Sequence, residues 1–258
     1  MIKIATYNVN GIKARLPRLL EWLAETRPAI ACLQEIKTVD EGWPTAEIEA
    51  LGYRAIWHGQ KGFNGVAILA DGDEPIEVRR GLEGEPEDDH SRYLEADIFG
   101  LRVACIYLPN GNPQPGPKFD YKLRWMERLR SRMAEISAEE VPAVVLGDYN
   151  VVPFDDDVWA PKAMAVDALM QPETRDAYAR LLADGWTDAL RLHNPRGGVW
   201  TFWDYQAGAW QRDHGFRIDH ALLSPELADR LIACGVDKAH RGREKASDHA
   251  PVWIEVSR

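Results

Sequence analysis

Asp148 and Asn150 stand two residues apart at the end of an apolar run, in Val145-Leu-Gly-Asp-Tyr-Asn-Val-Val-Pro153. A carboxylate can take a proton from water. An amide both donates and accepts, so it can hold that water or a phosphate oxygen in place. On an extended backbone, side chains two apart point to the same side, and the pair would share one surface. An Asp/Asn turn that merely caps the next segment has the same composition.

The pattern recurs along the chain. Ile2 to Tyr7 ends in Asn8-Val9-Asn10-Gly11, and Ala29 to Leu33 ends in Gln34-Glu35. Val103 to Tyr107 runs into Pro109-Asn110-Gly111. Arg217-Ile218-Asp219 precedes Ala221-Leu222-Leu223, and Ser247-Asp248-His249 precedes Pro251 to Val256. Short apolar runs of this kind read as strands buried on both faces, and each presents an Asn, Asp, Glu, Tyr or His at one end.

Elements must hold these ends together. A helix is expected to start at Pro17, with Leu16, Leu19, Leu20 and Leu23 on one face and Pro28 ending it. A second runs from about Lys118 to Ile136 on a stripe of Leu123, Met126, Leu129, Met133 and Ile136. Strands are expected near residues 53–58, 65–70, 92–98, 101–107, 141–147, 200–205, 217–223, 232–237 and 251–256. So many strands with few helices between them argue against a doubly wound parallel sheet.

The chain has 258 residues, 45% of them hydrophobic, enough for a sizeable core, and no low-complexity linker divides it. One domain over 1–258 is the expectation. No apolar stretch approaches the roughly 20 residues a membrane span needs, and no signal-peptide pattern opens the chain, so a cytoplasmic location is expected. Cys32, Cys105 and Cys234 lack CxxC spacing and read as buried thiols. The net charge of −10 excludes an overall basic field, but local field governs phosphate binding. The acidic run Glu83 to Asp89 reads as an exposed loop, and Arg124, Arg128 and Arg132 as a solvated helix face. Lys13, Arg15 and Arg18, and the run Lys238, Arg241, Arg243 and Lys245, flank the candidate residues; the second run is expected to meet substrate backbone.

The motifs Tyr7-Asn8-Val9-Asn10-Gly11, Leu33-Gln34-Glu35-Ile36-Lys37, Tyr107-Leu108-Pro109-Asn110-Gly111, Gly147-Asp148-Tyr149-Asn150, Arg217-Ile218-Asp219-His220 and Ser247-Asp248-His249, taken in order, resemble the exonuclease III family of AP endonucleases, within the endonuclease/exonuclease/phosphatase superfamily. The resemblance implies a DNase I-like α/β fold: a four-layer α/β sandwich of two packed mixed β-sheets flanked by helices. It also implies a DNA repair phosphodiesterase that incises abasic sites and trims 3′ ends.

Phosphodiester hydrolysis requires an activated water, neutralised phosphoryl oxygens and help for the leaving oxygen. Glu35 is the first candidate for Mg²⁺, a hard cation that takes oxygen ligands, with Mn²⁺ as a substitute; Asn8 and Asp248 join it. By the resemblance, Asp148 activates water, Asp219 orients His249, and Asn150 and Tyr107 meet the phosphate. Asn10 stands where some family members have Asp, which argues against a second carboxylate-rich metal site, so one required metal ion is expected and a second is left open. The resemblance nominates Phe202, Phe216 and Ile218 as walls of a pocket for a base-less sugar, with Asn110, Arg217 and Lys37 also on the substrate. The loop 205–216, with Arg212 and His214, is expected to bias activity between abasic sites and 3′ ends. The expected partner is double-stranded DNA with abasic sites or 3′ ends, acted on by a monomer with no obligate protein partner. A phosphatase or lipid phosphodiesterase would share the phosphoryl chemistry; a binding module relying on Lys and Arg would not need metal.

Overall fold

The computed structural model covers residues 1–258 and contains twelve strands: β1 (Ile2–Asn8), β2 (Ile30–Gln34), β3 (Tyr53–His58), β4 (Val66–Asp71), β5 (Ile76–Arg80), β6 (Tyr93–Ile98), β7 (Leu101–Tyr107), β8 (Ala143–Asp148), β9 (Thr187–Asp188), β10 (Asp219–Leu223), β11 (Leu231–Val236) and β12 (Val252–Val256). They form two sheets of six, ordered β11-β12-β1-β2-β4-β3 and β5-β6-β7-β8-β10-β9. Pairs β1/β2 and β7/β8 are parallel and the rest antiparallel, so both sheets are mixed. The long helices Ile12–Thr26, Pro117–Ala138 and Pro172–Ala183 cover the outer faces and complete the four-layer α/β sandwich.

The period-two alternation of the strands explains how the fold makes a site. Ile2 and Ile4 of β1, Ile30 and Cys32 of β2, Val103 and Cys105 of β7, and Val144 and Leu146 of β8 all enter the core between the sheets. Continuing each inward column by one step gives Thr6 then Asn8, Gln34, Tyr107 and Asp148. On β10, which runs antiparallel to β8, the inward residue at the same end is Asp219, directly opposite Asp148. Tyr107 is likewise opposite Asp148 across the parallel pair. The core therefore ends in a polar rim at one edge of the sandwich. Gly147 allows this closeness, since a Cβ there would stand 2.0 Å from the Ile106 carbonyl oxygen.

Several expectations are corrected. The first helix starts at Ile12, and Pro17 lies within it. Gly11 N–H donates to the Glu35 carbonyl and Ile12 N–H to that of Ile36, so neighbouring backbone satisfies amides that a capping side chain would otherwise take. Trp22 is buried beside Leu19 and Leu23, while Leu16 and Leu20 are half-buried. On the helix Pro117–Ala138, Trp125 is buried and Leu123 is only half-buried. Residues 200–205 form no strand; Phe202 alone bridges both Phe216 and His249. The edge strand β5 went unread because its residues are largely exposed.

The arginine row is not a solvated face. Arg132 is buried and donates to the fully buried Glu95 at 2.6 and 2.9 Å, with Arg102 adding a contact at 3.1 Å. Arg128 holds Asp88 at 2.6 Å, which draws the acidic run onto the helix. Only Arg124 keeps an exposed pairing, with Glu85.

Candidate active site

At the polar rim a cleft of about 390 Å³ opens between the ends of the two sheets. It gathers Glu35, Tyr107, Asn110, Asp148, Asn150, Asp248 and His249 on its polar side and Phe202, Phe216 and Ile218 on its apolar side. Residues separated by more than two hundred positions thus meet in one concavity.

Asn8 lies fully buried beneath the cleft. Its Nδ2 donates to Glu35 Oε1 at 2.8 Å and to Asp148 Oδ2 at 2.9 Å, while its Oδ1 accepts the Asn10 amide at 3.0 Å. Asn8, expected as a metal ligand, holds the two carboxylates together through its Nδ2, and its Oδ1 keeps a second lone pair beside the one that accepts from Asn10 N–H. Lys37 Nζ stands 2.9 Å from Glu35 Oε2 and 2.6 Å from Asn10 Oδ1, and Asn10 Nδ2 donates to Asp248 Oδ1 at 3.2 Å.

Glu35, Lys37, Asn10 and Asn150 all have left-handed backbone, with φ between 45° and 51°. Such conformations disfavour side chains with a Cβ, and strain of this kind gathers at functional sites. Hydrogen bonds from Ile36 N to Gly65 O and from Lys37 N to Asn64 O hold the turn after β2. Asn150 reaches the cleft through its left-handed turn, not through the extended backbone that spacing suggested. Its N–H caps Asp148 Oδ1 at 2.9 Å.

His249 Nδ1 lies 2.8 Å from Asp219 Oδ2, and its Nε2 lies 3.7 Å from Asp148 Oδ2. Burial would lower its pKa, but Asp219 and then Asp148 push it up to about 10. Nδ1–H therefore donates to Asp219 and Nε2–H faces Asp148. Burial pushes the Asp148 carboxyl up to about 7, opposed by His249 and helped by Asp219 and Glu35. For Glu35, burial acts upward, yet hydrogen bonds from Asn8 and Lys37 hold it below the ordinary carboxylate range. Burial, with Glu35 and Asp148 nearby, raises the Tyr107 phenol well above its usual value and keeps it a donor.

Ligand atoms of Glu35, Asp148 and His249 lie within 4.8 Å of one another. Two of the three are carboxylates held in register by one amide, a donor set that suits a hard divalent cation. Asp219 and then Asp148 push His249 toward its protonated form, and a protonated imidazole has no lone pair to give a metal, which favours a role toward substrate.

Arg217 is corrected. It is buried, paired in a fork with Asp157 at 2.7 and 2.9 Å and with Asp188 at 2.8 Å, and does not line the cleft. The run before Asp248 is also largely committed within the fold: Lys238 to Asp213, Arg241 to the Trp203 carbonyl, and Arg243 to Glu21 and Glu25. Only Lys245 of that run remains exposed and unpaired. Sequence reasoning missed Met164, Asp167, Leu169 and Asp204, which complete the cleft wall. Met164 and Leu169 sit in short helical turns without periodicity, so no local signal marked them.

The model of the Endonuclease/Exonuclease/phosphatase family matches residues 5–249. An exodeoxyribonuclease III of Haemophilus influenzae is 35% identical over 98% of this chain and 99% of its own length. An AP endonuclease from Archaeoglobus fulgidus superposes with a TM-score of 0.95 at 38% identity, covering 100% of both chains. A 3′ phosphatase, NExo, from Neisseria, solved with a product DNA hairpin, gives 0.97 at 36% identity, again covering 100% of both chains. No helix is long and apolar enough to cross a membrane. With the motifs in order and the cleft assembled from them, the chain belongs to the endonuclease/exonuclease/phosphatase family, among its exodeoxyribonuclease III-type hydrolases.

Proposed function

We propose that this chain is a Mg²⁺-dependent DNA repair phosphodiesterase that incises duplex DNA at abasic sites and removes nucleotides or blocking groups from 3′ ends. The observation that carries the reading is the row Asp219, His249, Asp148 set against an apolar wall of Phe202, Phe216 and Ile218 in one cleft. Relatives named as an AP endonuclease and as a 3′ phosphatase bound to product DNA support it.

Asp148 takes a proton from the attacking water, a task suited to a carboxyl raised toward neutrality. His249, kept cationic by Asp219, faces the charge that develops on the phosphoryl group. Tyr107 and Asn150 donate to its oxygens, and fixed donors of this kind need no reorganisation as charge grows. Asn110 and Lys37 hold the flanking phosphate, Lys37 also limiting the charge on Glu35. Mg²⁺, or Mn²⁺ in its place, held at Glu35 with Asp148 and Asp248 at hand, would neutralise the phosphoryl oxygens. The apolar wall of Phe202, Phe216 and Ile218 is proposed to receive a sugar without its base at an internal abasic site and to favour it over one that carries a base.

Residues 1–258 are proposed to act as one domain and as a monomer in the cytoplasm, where the free thiols of Cys32, Cys105 and Cys234 persist. The test is a labelled duplex with one internal abasic site, with Mg²⁺ and with chelator, beside an intact duplex with a recessed 3′ end. Metal-dependent incision of the first and shortening of the second are expected. If neither is cut with Mg²⁺ or Mn²⁺, the reading fails.

A further inference from the structure

Lys122, on the helix Pro117–Ala138, is fully buried. Its Nζ donates to the Asn110 carbonyl at 2.9 Å and to the Asn150 carbonyl at 2.5 Å. These are the two amide residues of the cleft. They also meet each other, Asn110 Nδ2 donating to Asn150 Oδ1 at 3.3 Å, and Asn150 Nδ2 donates to the Leu108 carbonyl at 2.9 Å. The Lys122 stem reaches them through a gap kept by Gly111, where a Cβ would stand 2.7 Å from Lys122 Cδ.

A lysine is a costly choice for a buried helix position next to an apolar core, and its amine is spent on two backbone carbonyls that no backbone N–H satisfies. The ammonium is placed where the turns after β7 and β8 converge, and Asn150 is held there in left-handed backbone. From this placement we infer that Lys122 is a positioning residue: by clamping the backbone carbonyls of Asn110 and Asn150, it fixes both amides for phosphoryl transfer without touching substrate. The inference rests on the reading of Asn150 as a group facing the phosphate.

The test compares Asn150→Ala, Lys122→Met and the double variant on the abasic duplex, with kcat and KM measured separately and unfolding followed by circular dichroism. Displacement of an aligned group by an ångström costs about 100-fold, so Lys122→Met should lower kcat by that order while KM stays close to wild type. Asn150→Ala added to Lys122→Met should cost little more, since the amide is already misplaced. A folded Lys122→Met protein with wild-type kcat overturns the inference, as do losses that multiply in full. If Lys122→Met does not fold, Lys122→Gln keeps a polar terminus but is one atom too short to reach both carbonyls. It should give the same loss of kcat, and wild-type kcat there overturns the inference equally. Full activity in Asn150→Ala would instead remove the reading of the site and the inference with it.

Discussion

Two buried clusters of carboxylates lie at opposite extremes of charge balance. Around Arg217 every acid has a cation: Asp157 meets Arg217 and Arg191, and Asp188 meets Arg217 and the Tyr178 hydroxyl. Burial opposes ionisation of Asp188, but Arg217 outweighs it and holds the carboxyl below its usual range. Burial, reinforced by Arg217, lowers the His220 pKa to about 4, so this imidazole is neutral and donates from Nε2 to the Val151 carbonyl. In the cleft, Glu35, Asp148, Asp219 and Asp248 share only Lys37 and His249. There the acids are under-compensated, and Asp148 is driven up instead of down. The first cluster is a closed fastening. The second is left open to further positive charge, as the proposed metal-assisted activation of water requires.

The sharpest way to break this contrast is Asp148→Asn. Loss of a positioned base should lower turnover by roughly 10²- to 10⁴-fold, while DNA binding stays largely intact. Because folding places this carboxyl in a setting that disfavours its charge, the amide should also raise the melting temperature. Single-turnover rates, a binding titration and a melting curve check all three. Loss of binding to the same degree as turnover would contradict the assignment.

Arg217→Met should do the reverse. It strands Asp157 and Asp188 as buried unpaired charges, a loss of about 3–5 kcal/mol by urea unfolding. KM for DNA should barely change in the protein that remains folded. A large rise in KM with unchanged stability would restore Arg217 to the substrate side.

Acid separates the two kinds of carboxylate again. Burial alone would raise Glu95, but hydrogen bonds from Arg132 and Tyr93 hold it below its ordinary value of 4.5. A carboxyl depressed by folding contributes stability that is present above its unfolded pKa and lost as pH falls through the folded one. Urea midpoints should therefore drop as pH falls below about 4.5. Glu95→Gln should be less stable at pH 7 and show a shallower acid slope; an unchanged slope would remove Glu95 from the account.

How far these regions were legible follows from how local their causes are. The ends of β1, β2, β7 and β8 were readable because a short buried run ending in Asn, Glu, Tyr or Asp is a local pattern; the same kind of run marked most of the strands, while their stacking into a four-layer sandwich was implied by the family resemblance. Asp219 beside His249 was implied by the family resemblance, and the structure puts the two 2.8 Å apart. Arg217 was misplaced because its partners, Asp157 and Asp188, are distant in sequence, and nothing near Arg217 reveals them. The start of the first helix was missed for a similar reason, since its cap is the backbone of Glu35 and Ile36. The same distance hid the Lys122 clamp, which in sequence is one more lysine on an amphipathic helix.

The smallest expected effect concerns the apolar wall. Phe202 and Phe216 meet edge to face, with centroids 5.7 Å apart, and Phe202 also lies 5.0 Å from the His249 ring. The wall is thus packed against His249, the group proposed to face the phosphate, yet carries no charge itself. Phe216→Ala should cost about 1–3 kcal/mol in selectivity for abasic over intact duplex, since an apolar pocket discriminates mainly by bulk. In the proposed site the metal is held by Glu35 and its carboxylate neighbours, so the metal concentration for half-maximal cutting should hold. An unchanged selectivity ratio would show that Phe216 serves only to pack Phe202; a shift in metal requirement would mean that the wall and the charged row are coupled through His249.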